Sequence, residues 1–152
     1  MKNELEQRLF KQYQQFFTNK DDKMQSLMSY GFEHGNGWFN IVETILEVAA
    51  GIQRRYDEVI KIRDRLQPNP PEWVAEYFKE KTSRPEMEVV QAKEKFGGLR
   101  FYYNSENMTE LWPVVQYAAS LSEKTCEICG NPGKLRTESH VLTLCDVCAA
   151  KI

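Results

Sequence analysis

Cysteine is missing from most of this chain and appears only near its end. All four cysteines lie between residues 126 and 148. They therefore serve a local purpose, and a disulfide framework that ties the whole chain together is excluded. An excess of positive charge is missing as well, because 20 Lys and Arg stand against 22 Asp and Glu, which gives a net charge of −2. The chain as a whole therefore has no positive electrostatic potential that would attract a phosphate backbone, so nucleic-acid binding is disfavoured.

Long apolar runs are also missing. No segment approaches the run of about eighteen apolar residues that a membrane span needs, and the first residues lack the apolar core of a secretory signal. We therefore expect no membrane segment and a cytoplasmic location. Apolar residues nevertheless make up 41% of the 152 residues, which is enough to bury a core, so one main domain with a small appendage is expected.

Apolar periodicity predicts a helical N-terminal half. An amphipathic helix is expected over residues 3–17, and a long central helix over 38–66, where apolar side chains recur at steps of four and three. A proline-rich break at 67–71 is followed by a short amphipathic helix over 72–80. The apolar stripe of the central helix is formed by Ile41, Ile45, Val48, Ile52, Val59, Ile62 and Leu66. This stripe is expected to pack on the first helix, with a homodimeric coiled coil as the alternative.

The second half of the chain is predicted to contain β-strands as well as helices. Residues 86–104 carry β-forming side chains on both sides of the sequence Lys95-Phe96-Gly97-Gly98, which predicts a small β-hairpin. A further helix is expected to end near Glu123. The predicted fold class is therefore α+β, with a mainly helical α+β domain over 1–123 and a four-cysteine module over 124–152.

The four cysteines form two Cys-x-x-Cys pairs, Cys126 with Cys129 and Cys145 with Cys148, separated by fifteen residues. This spacing is typical of a four-cysteine zinc site, because two intervening residues let one tight turn present both sulfurs to one ion. We expect one structural Zn²⁺ in a zinc-ribbon or treble-clef-like module. Since four sulfur ligands leave no coordination position for water or substrate, zinc catalysis is disfavoured.

Other interpretations of the four cysteines differ in their chemistry. Two disulfides need an oxidising compartment, and a thioredoxin-like redox centre needs only one Cys-x-x-Cys pair beside a βαβ pattern. An iron–sulfur cluster, or iron in place of zinc, uses the same four thiolates and stays open. A treble-clef nuclease would need a second histidine in step with the metal, and the only histidines are His34 and His140.

A second candidate site lies around the predicted hairpin turn. Lys93, Lys95 and Arg100 flank Gly97-Gly98, and cations beside a glycine turn can hold a phosphate or a carboxylate. Neighbouring aromatic side chains such as Tyr102 can stack on single-stranded bases. The simpler interpretation is an ordinary hairpin turn whose aromatic residues alternate between the core and a sheet face.

A third candidate lies just before the central helix, where His34 precedes the sequence Gly35-Asn36-Gly37-Trp38. Backbone amides of this glycine-rich segment can form an anion pocket at the helix N-terminus, beside a titratable ring. The alternative is structural, with Asn36 as the helix cap and Trp38 as the residue that anchors the loop.

Three segments together resemble a family of small, functionally uncharacterised bacterial and phage proteins. The segments are GNGW at 35–38, KEKFGGLRFY at 93–102, and CEICG at 126–130 with TLCDVC at 143–148. The resemblance spans most of residues 31–150. It implies a single-domain protein with a terminal four-cysteine knuckle, encoded by a phage or mobile element and present in the host cytoplasm. The central helix and the proline-rich insert are longer in this chain than that family leads us to expect.

The sequence contains no motif for an activated nucleophile, an open metal position or a pair of catalytic acids. The leading hypothesis is therefore a non-enzymatic zinc-containing protein that binds another protein. The resemblance extends this hypothesis to a phage or mobile-element inhibitor of a host or anti-phage defence protein. Binding anchors are expected among aromatic and arginine side chains, which dominate interface energetics: Trp73, Tyr77, Arg100 and Tyr102. The alternatives are a nucleic-acid-binding regulator that uses Lys93, Lys95 and Arg100, and a small-anion or nucleotide-binding protein with its site near His34.

Overall fold

The fold is built around one long helix and a two-stranded hairpin, as seen in a computed structural model of the chain. The structure describes residues 1–66, 71–78, 83–137 and 140–152, and for residues 77 and 78 it describes the backbone alone. Within these ranges the order of elements is α1 (Asn3–Gln12), α2 (Phe39–Leu66), α3 (Glu72–Phe78), β1 (Glu86–Lys95), β2 (Gly98–Glu106), α4 (Leu111–Ser122), β3 (Lys134–Arg136), β4 (Leu142–Leu144) and α5 (Asp146–Ala149). The predicted α+β class, long helix and hairpin are confirmed.

The first helix ends sooner than its amphipathic pattern predicts. α1 stops at Gln12, and a separate turn of 3₁₀ helix follows over Gln14–Phe16. Tyr13 breaks the helix with a φ of −122°, yet its side chain is buried, as are those of Phe16 and Phe17. The predicted helix over 3–17 is therefore too long, because apolar spacing records which side chains are buried and a 3₁₀ turn can bury the same ones.

One hydrophobic core lies between α2, α4 and the inner face of the β1–β2 hairpin. α4 packs on both α2 and β2, and the segment between α1 and α2 adds the buried side chains of Met28, Phe32 and Trp38. The helices present their apolar faces at the 3.6-residue period. α4 buries Leu111, Val115, Ala118 and Ser122. α2 contributes Val42, Ile45, Leu46, Ala49 and Ile52.

The C-terminal part of α2 extends beyond this core. No residue of α2 after Gln53 is buried, and Ile62 is 49% exposed. α3 lies beside α2, with Val74 buried and Trp73 exposed. The long helix predicted over 38–66 is confirmed, whereas its pairing in a homodimer stays a prediction. Among the helices of the described ranges, none combines the length and the apolar composition that crossing a membrane requires.

Two predictions reach residues outside the described ranges. The proline-rich break at 67–71 is described only at Pro71. The short helix predicted over 72–80 is present as α3 as far as Phe78, and its last two residues lie outside the described part of the chain.

The β1–β2 hairpin is antiparallel, as its sequence predicts. Its cross-strand partners include Lys93 with Arg100, Lys95 with Gly98, and Gln91 with Tyr102. Phe96 and Gly97 form the turn, and both have a positive φ, 54° and 77°. This is the backbone pattern of a two-residue type I′ turn, whose twist matches that of the two strands. Leu99 and Phe101 point into the core, so the opposite face of the hairpin is left to solvent.

Candidate metal centre

The first cysteine pair sits on a tight turn shortly after α4. The Gly130 N–H donates to the Cys126 carbonyl oxygen at 2.8 Å, and Gly130 has a φ of 79°, a conformation that favours glycine. The Glu127 N–H donates to the Thr143 carbonyl oxygen at 2.9 Å. These bonds close the turn and tie it to β4, so that Cys126 and Cys129 present their sulfur atoms together.

The second cysteine pair begins the last helix. β3 and β4 pair antiparallel, with Lys134 opposite Leu144, and β4 leads directly to Cys145. Cys145 is the N-cap of α5, and its sulfur accepts the Cys148 N–H at 3.4 Å. β3 and β4 therefore return the second pair to the side of the first.

All four sulfur atoms converge on one point. The Sγ atoms of Cys126, Cys129, Cys145 and Cys148 lie within 4.8 Å of one another, and those of Cys129 and Cys145 are 3.7 Å apart. A tetrahedron with zinc–sulfur bonds of about 2.3 Å sets its sulfurs about 3.8 Å apart, whereas a disulfide bond is about 2.05 Å long. The four cysteines are free thiols, placed to hold one metal ion and not cross-linked to one another.

The cluster also has the electrostatics of a cation site. Burial raises the pKa of the Cys126 thiol, but hydrogen bonds from the backbone at Cys145 and Cys129 outweigh burial and lower this pKa to about 7. The pKa of Cys148 is raised to about 12, first by its hydrogen bond with the Cys145 side chain and then by burial. Thiolates this close repel one another, so a cation is needed before all four can lose their protons.

The cysteine module is docked on the glycine-rich segment that precedes α2. The Gly37 N–H donates to the Glu127 carbonyl oxygen at 2.7 Å, and the Gly35 N–H donates to Glu127 Oε1 at 2.8 Å. The Trp38 indole N–H donates to the Thr125 carbonyl oxygen at 2.8 Å. Both glycines are required here, because a Cβ on either would overlap backbone atoms of the first cysteine turn.

The same module is docked on the turn of the β1–β2 hairpin. Thr143 is fully buried, and its Oγ1 donates to the Gly97 carbonyl oxygen at 2.6 Å. Leu135 packs so closely on Gly97 that a Cβ there would overlap it. Ser122, at the end of α4, accepts the Leu99 N–H at 2.8 Å and ties the hairpin to the helix that leads into the cysteines.

The three segments of the family resemblance therefore meet in one internal interface. Of the amide groups predicted to form an anion pocket, that of Gly35 does bind a carboxylate, which is Glu127 of the same chain, whereas that of Gly37 binds the Glu127 carbonyl oxygen. Trp38 is fully buried and anchors the loop, as the structural alternative predicts. The Asn36 side chain is used elsewhere, since its Oδ1 accepts the Lys2 N–H at 2.7 Å.

His34 is enclosed next to this interface. It is 5% exposed, its Nδ1 lies 2.9 Å from the Gly35 carbonyl oxygen, and its ring centroid is 5.9 Å from those of Phe32 and Trp38. Its Nε2 is buried without a hydrogen-bond partner among the described residues. Burial lowers the pKa of His34, the Gly35 hydrogen bond raises it in part, and the Met1 α-amino group adds to the lowering, so that the pKa is about 4. The ring is therefore neutral at pH 7, and a small-anion site beside it stays a prediction.

His34 makes the stability of the fold depend on pH. Its pKa is about 4 in the folded chain against 6.5 for a free side chain, so between these values the unfolded chain binds the extra proton. The free energy of unfolding is expected to fall by about 3 kcal/mol as the pH drops across this window, and to gain nothing from His34 above it.

Urea unfolding of the wild type and of His34→Gln at a series of pH values measures this contribution. The variant is expected to lose less stability on acidification. The Met1 amino group that acts on the ring and the Glu127 carboxylate bound to the Gly35 amide are common to both chains, as are the cysteines, so the difference isolates His34. Identical pH profiles for the two chains would contradict the buried neutral ring.

The structure brings four of the predicted binding residues together on the outer side of the β1–β2 hairpin. Lys93 and Arg100 lie directly opposite each other, Lys95 lies at the turn, and Tyr102 follows on the same side as Arg100. The Lys93 Nζ is 6.0 Å from the centroid of the Tyr102 ring. The predicted alternation of the aromatic residues between the core and a sheet face is observed, because Phe101 is buried and Tyr102 is 46% exposed.

The remaining predicted residues lie on other elements. Trp73 is exposed on α3, and Tyr77 lies on the same helix, but the Tyr77 side chain is outside the described residues. His140 precedes β4 and lines a shallow surface pocket with Arg136.

One exposed aromatic residue was not predicted from the sequence. Trp112 is exposed on α4 and lines a shallow pocket with residues of β2.

The residues that bind the cysteine module to the rest of the chain were also not predicted from the sequence. Thr125, Glu127 and Thr143 act through carbonyl groups and short polar side chains, which leave no periodic signal and match no motif. Comparison of the chain with protein-family models, with curated proteins and with solved structures finds no match.

Proposed function

We propose that the chain is a non-enzymatic binding protein whose cysteine module is held together by one structural Zn²⁺ ion. The observation that carries the metal assignment is the convergence of four sulfur atoms within 4.8 Å of one another. Thiolates at tetrahedral spacing are the ligand set that zinc prefers in closed sites. The order of elements is treble-clef-like, because a turn with two cysteines is followed by a hairpin and then by a helix whose start supplies the other two.

In this proposal the ion stabilises the module and takes no part in a reaction. Within the described residues, the module's own buried cluster consists of Cys126, Leu144 and Cys148, and it is separate from the main core. So little apolar burial cannot stabilise a segment by itself, whereas zinc binding contributes on the order of 10 to 16 kcal/mol in finger peptides. Four thiolates also complete the tetrahedron, so a bound zinc has no position for water or substrate.

Metal analysis of the purified full chain tests the zinc assignment. We expect one zinc per chain, a colourless protein, and a tetrahedral thiolate spectrum when cobalt replaces zinc. Stoichiometric iron with visible absorption would assign the site to iron or an iron–sulfur cluster instead. A chain that folds natively over residues 124–152 without any metal would refute the structural ion.

Exposed aromatic side chains support the binding of another protein. Within the described residues, the large aromatic side chains on the surface include Trp73, Tyr102, Trp112 and Tyr117. Aromatic residues of this size dominate the binding energy of protein interfaces, because each buries a large rigid surface. The family resemblance favours a phage or mobile-element setting, so the partner we propose is a host or anti-phage defence protein that the chain inhibits.

Affinity purification of the zinc-loaded chain from its natural host, with mass spectrometry, tests the binding function. A candidate partner must then bind the chain when both are purified, and its activity must fall in the complex. Recovery of nucleic acid in place of protein, with strong salt dependence, would favour the nucleic-acid alternative. A rise in Tm with nucleotides alone would favour the small-anion alternative.

A further inference from the structure

The outer side of the β1–β2 turn carries a compact cluster of cations and aromatic side chains, which we call the turn face. The turn face consists of Lys93, Lys95, Phe96, Arg100 and Tyr102. Alternation along β2 places Arg100 and Tyr102 on the side opposite to the buried Leu99. The register of the hairpin then sets Lys93 across from Arg100 on the same side, with Lys95 beside the turn.

Lys93 and Arg100 hold like charges directly opposite each other. Such a cross-strand pair destabilises a hairpin relative to a neutral or an opposite-charge pair. Neither residue forms an ion pair within the described part of the chain, nor does Lys95. The Glu123 carboxylate and the Arg100 guanidinium both lie beside Gly98, but they do not reach ion-pair distance. An anion bound among the three cations would offset their repulsion.

Phe96 is held in an unfavourable backbone conformation at the tip of the turn face. Its φ of 54° lies in the left-handed region, which bulky side chains rarely adopt, and type I′ turns prefer Asn or Gly there. The Phe96 ring is 69% exposed, so burial does not compensate for the strain, and the Lys95 Nζ is 5.4 Å from its centroid. A strained and exposed aromatic residue beside cations indicates a role in binding.

Carboxylates border the turn face and limit the length of anion that it can hold. At the open end of the hairpin, Glu86 lies across from Glu106. At the outer edge of β1, Glu33 forms a β-bridge with Lys93, and the Glu33 carboxylate accepts a hydrogen bond from the Gln91 side chain at 2.7 Å. A polynucleotide that followed the hairpin would meet all of these carboxylates, whereas a short acidic peptide segment can lie on the three cations without reaching the open end of the hairpin.

We propose that the turn face docks a short acidic segment of the partner protein. Carboxylates of that segment pair with the three cations, and its apolar side chains pack on Phe96, Tyr102 and Trp112. Trp112 is 59% exposed and lines a shallow pocket with Tyr102, so it extends the face with the kind of side chain that anchors interfaces. The inference rests on the proposed function, since it names where the protein partner binds and which chemistry that partner presents.

Fluorescence anisotropy with two labelled probes of equal length tests the docking site on the zinc-loaded full chain. One probe is a synthetic peptide of Glu and Asp around a single Phe, and the other is an oligothymidylate. We expect the peptide to bind at low ionic strength and to be released by salt, because screening weakens exposed charge pairs. Changing Lys93, Lys95 and Arg100 together to Gln is expected to weaken peptide binding by about tenfold or more, while Tm does not fall.

Two further chains separate docking from folding and from bulk charge. A matched triple variant, Lys11→Gln with Arg54→Gln and Arg55→Gln, removes the same charge from exposed positions on α1 and α2, and it is expected to bind the peptide like the wild type. Phe96→Asn relieves the positive φ at the turn, so its Tm is expected to rise by about 2 °C while its affinity for the peptide falls.

The remaining outcomes overturn the docking site. Equal weakening by the two triple variants would show attraction by net charge alone. Tighter binding of the oligothymidylate through the same residues would assign the turn face to nucleic acid, and no binding of either probe at low salt would remove the site. If the wild type and the triple variant at Lys93, Lys95 and Arg100 recover a host partner equally well, the proposed function stands, but the turn face is not the docking site. If the peptide binds but no partner is ever recovered, the proposed function is the part that fails.

Discussion

Replacing Cys145 by serine is expected to unfold residues 124–152 while the main core persists. A serine oxygen is a poor zinc ligand, and the Cys145 sulfur also caps α5 by accepting the Cys148 N–H at 3.4 Å. One substitution therefore removes a ligand and the start of a helix. Zinc binding contributes on the order of 10 to 16 kcal/mol to such modules, far more than the small buried cluster around Leu144 can supply. Backbone amide signals of 124–152 are expected to collapse to the unfolded range in NMR spectra.

Tryptophan indole signals provide a second readout of the same prediction. The Trp38 indole N–H donates to the Thr125 carbonyl oxygen, so its exchange with solvent is expected to accelerate when the module is lost. Trp73 and Trp112 are exposed and serve as internal references. A chelator is expected to produce the same change in the wild type, and added zinc is expected to reverse it there but not in Cys145→Ser.

Val147→Ser is the matched control for this substitution. Val147 lies between Cys145 and Cys148, and its side chain is exposed, so the replacement alters α5 without changing a cysteine. It is expected to keep native signals throughout the module. Native signals in metal-free Cys145→Ser would contradict the structural role of the ion. Equal loss in Val147→Ser would instead show that the fold of α5, and not metal ligation, holds the module together.

The cysteine cluster could be predicted because the residue spacing that forms it is local in the sequence. Two residues between Cys126 and Cys129 let one tight turn present both sulfurs, and the second pair repeats this spacing at the start of α5. The β-forming residues between the pairs indicate the return of the chain. The length of α2 follows in the same way from its apolar period, whereas the end of α1 at Gln12 does not, since a 3₁₀ turn buries the same aromatic residues.

The position of the cysteine module on the main domain could not be predicted, because it depends on hydrogen bonds between backbone groups of distant segments. The amide of Gly35 does bind an anion, as amides near helix N-termini can, but the anion is the Glu127 carboxylate, 92 residues away along the chain. No local pattern encodes that pairing. The opposition of Lys93 and Arg100 likewise depends on register, since a shift of one residue would turn one of them toward the core.

Alanine at Gly37 is expected to destabilise the chain by about 3 kcal/mol or more. A Cβ at this position would overlap the Cys126 carbonyl oxygen and the Gly130 amide nitrogen, which are backbone atoms and cannot rotate away. The chain must then separate the two surfaces and lose the hydrogen bond from Gly37 to the Glu127 carbonyl oxygen, or distort the turn that holds two of the sulfurs. Urea unfolding of the zinc-loaded variant measures the loss, and competition with a chelator measures the zinc affinity.

Gly51→Ala makes the same chemical change and is expected to act in the opposite direction. Gly51 lies within α2, where an added Cβ would lie 3.7 Å from the Arg54 Nη2, an ordinary contact. Alanine there is expected to stabilise the helix by about 1 kcal/mol, because glycine loses more backbone entropy on folding. If Gly37→Ala is as stable as the wild type, the cysteine module does not pack on the glycine-rich segment that precedes α2. Weaker zinc binding in Gly37→Ala than in Gly51→Ala would show that the main domain, through its glycine-rich segment, helps to hold the ion.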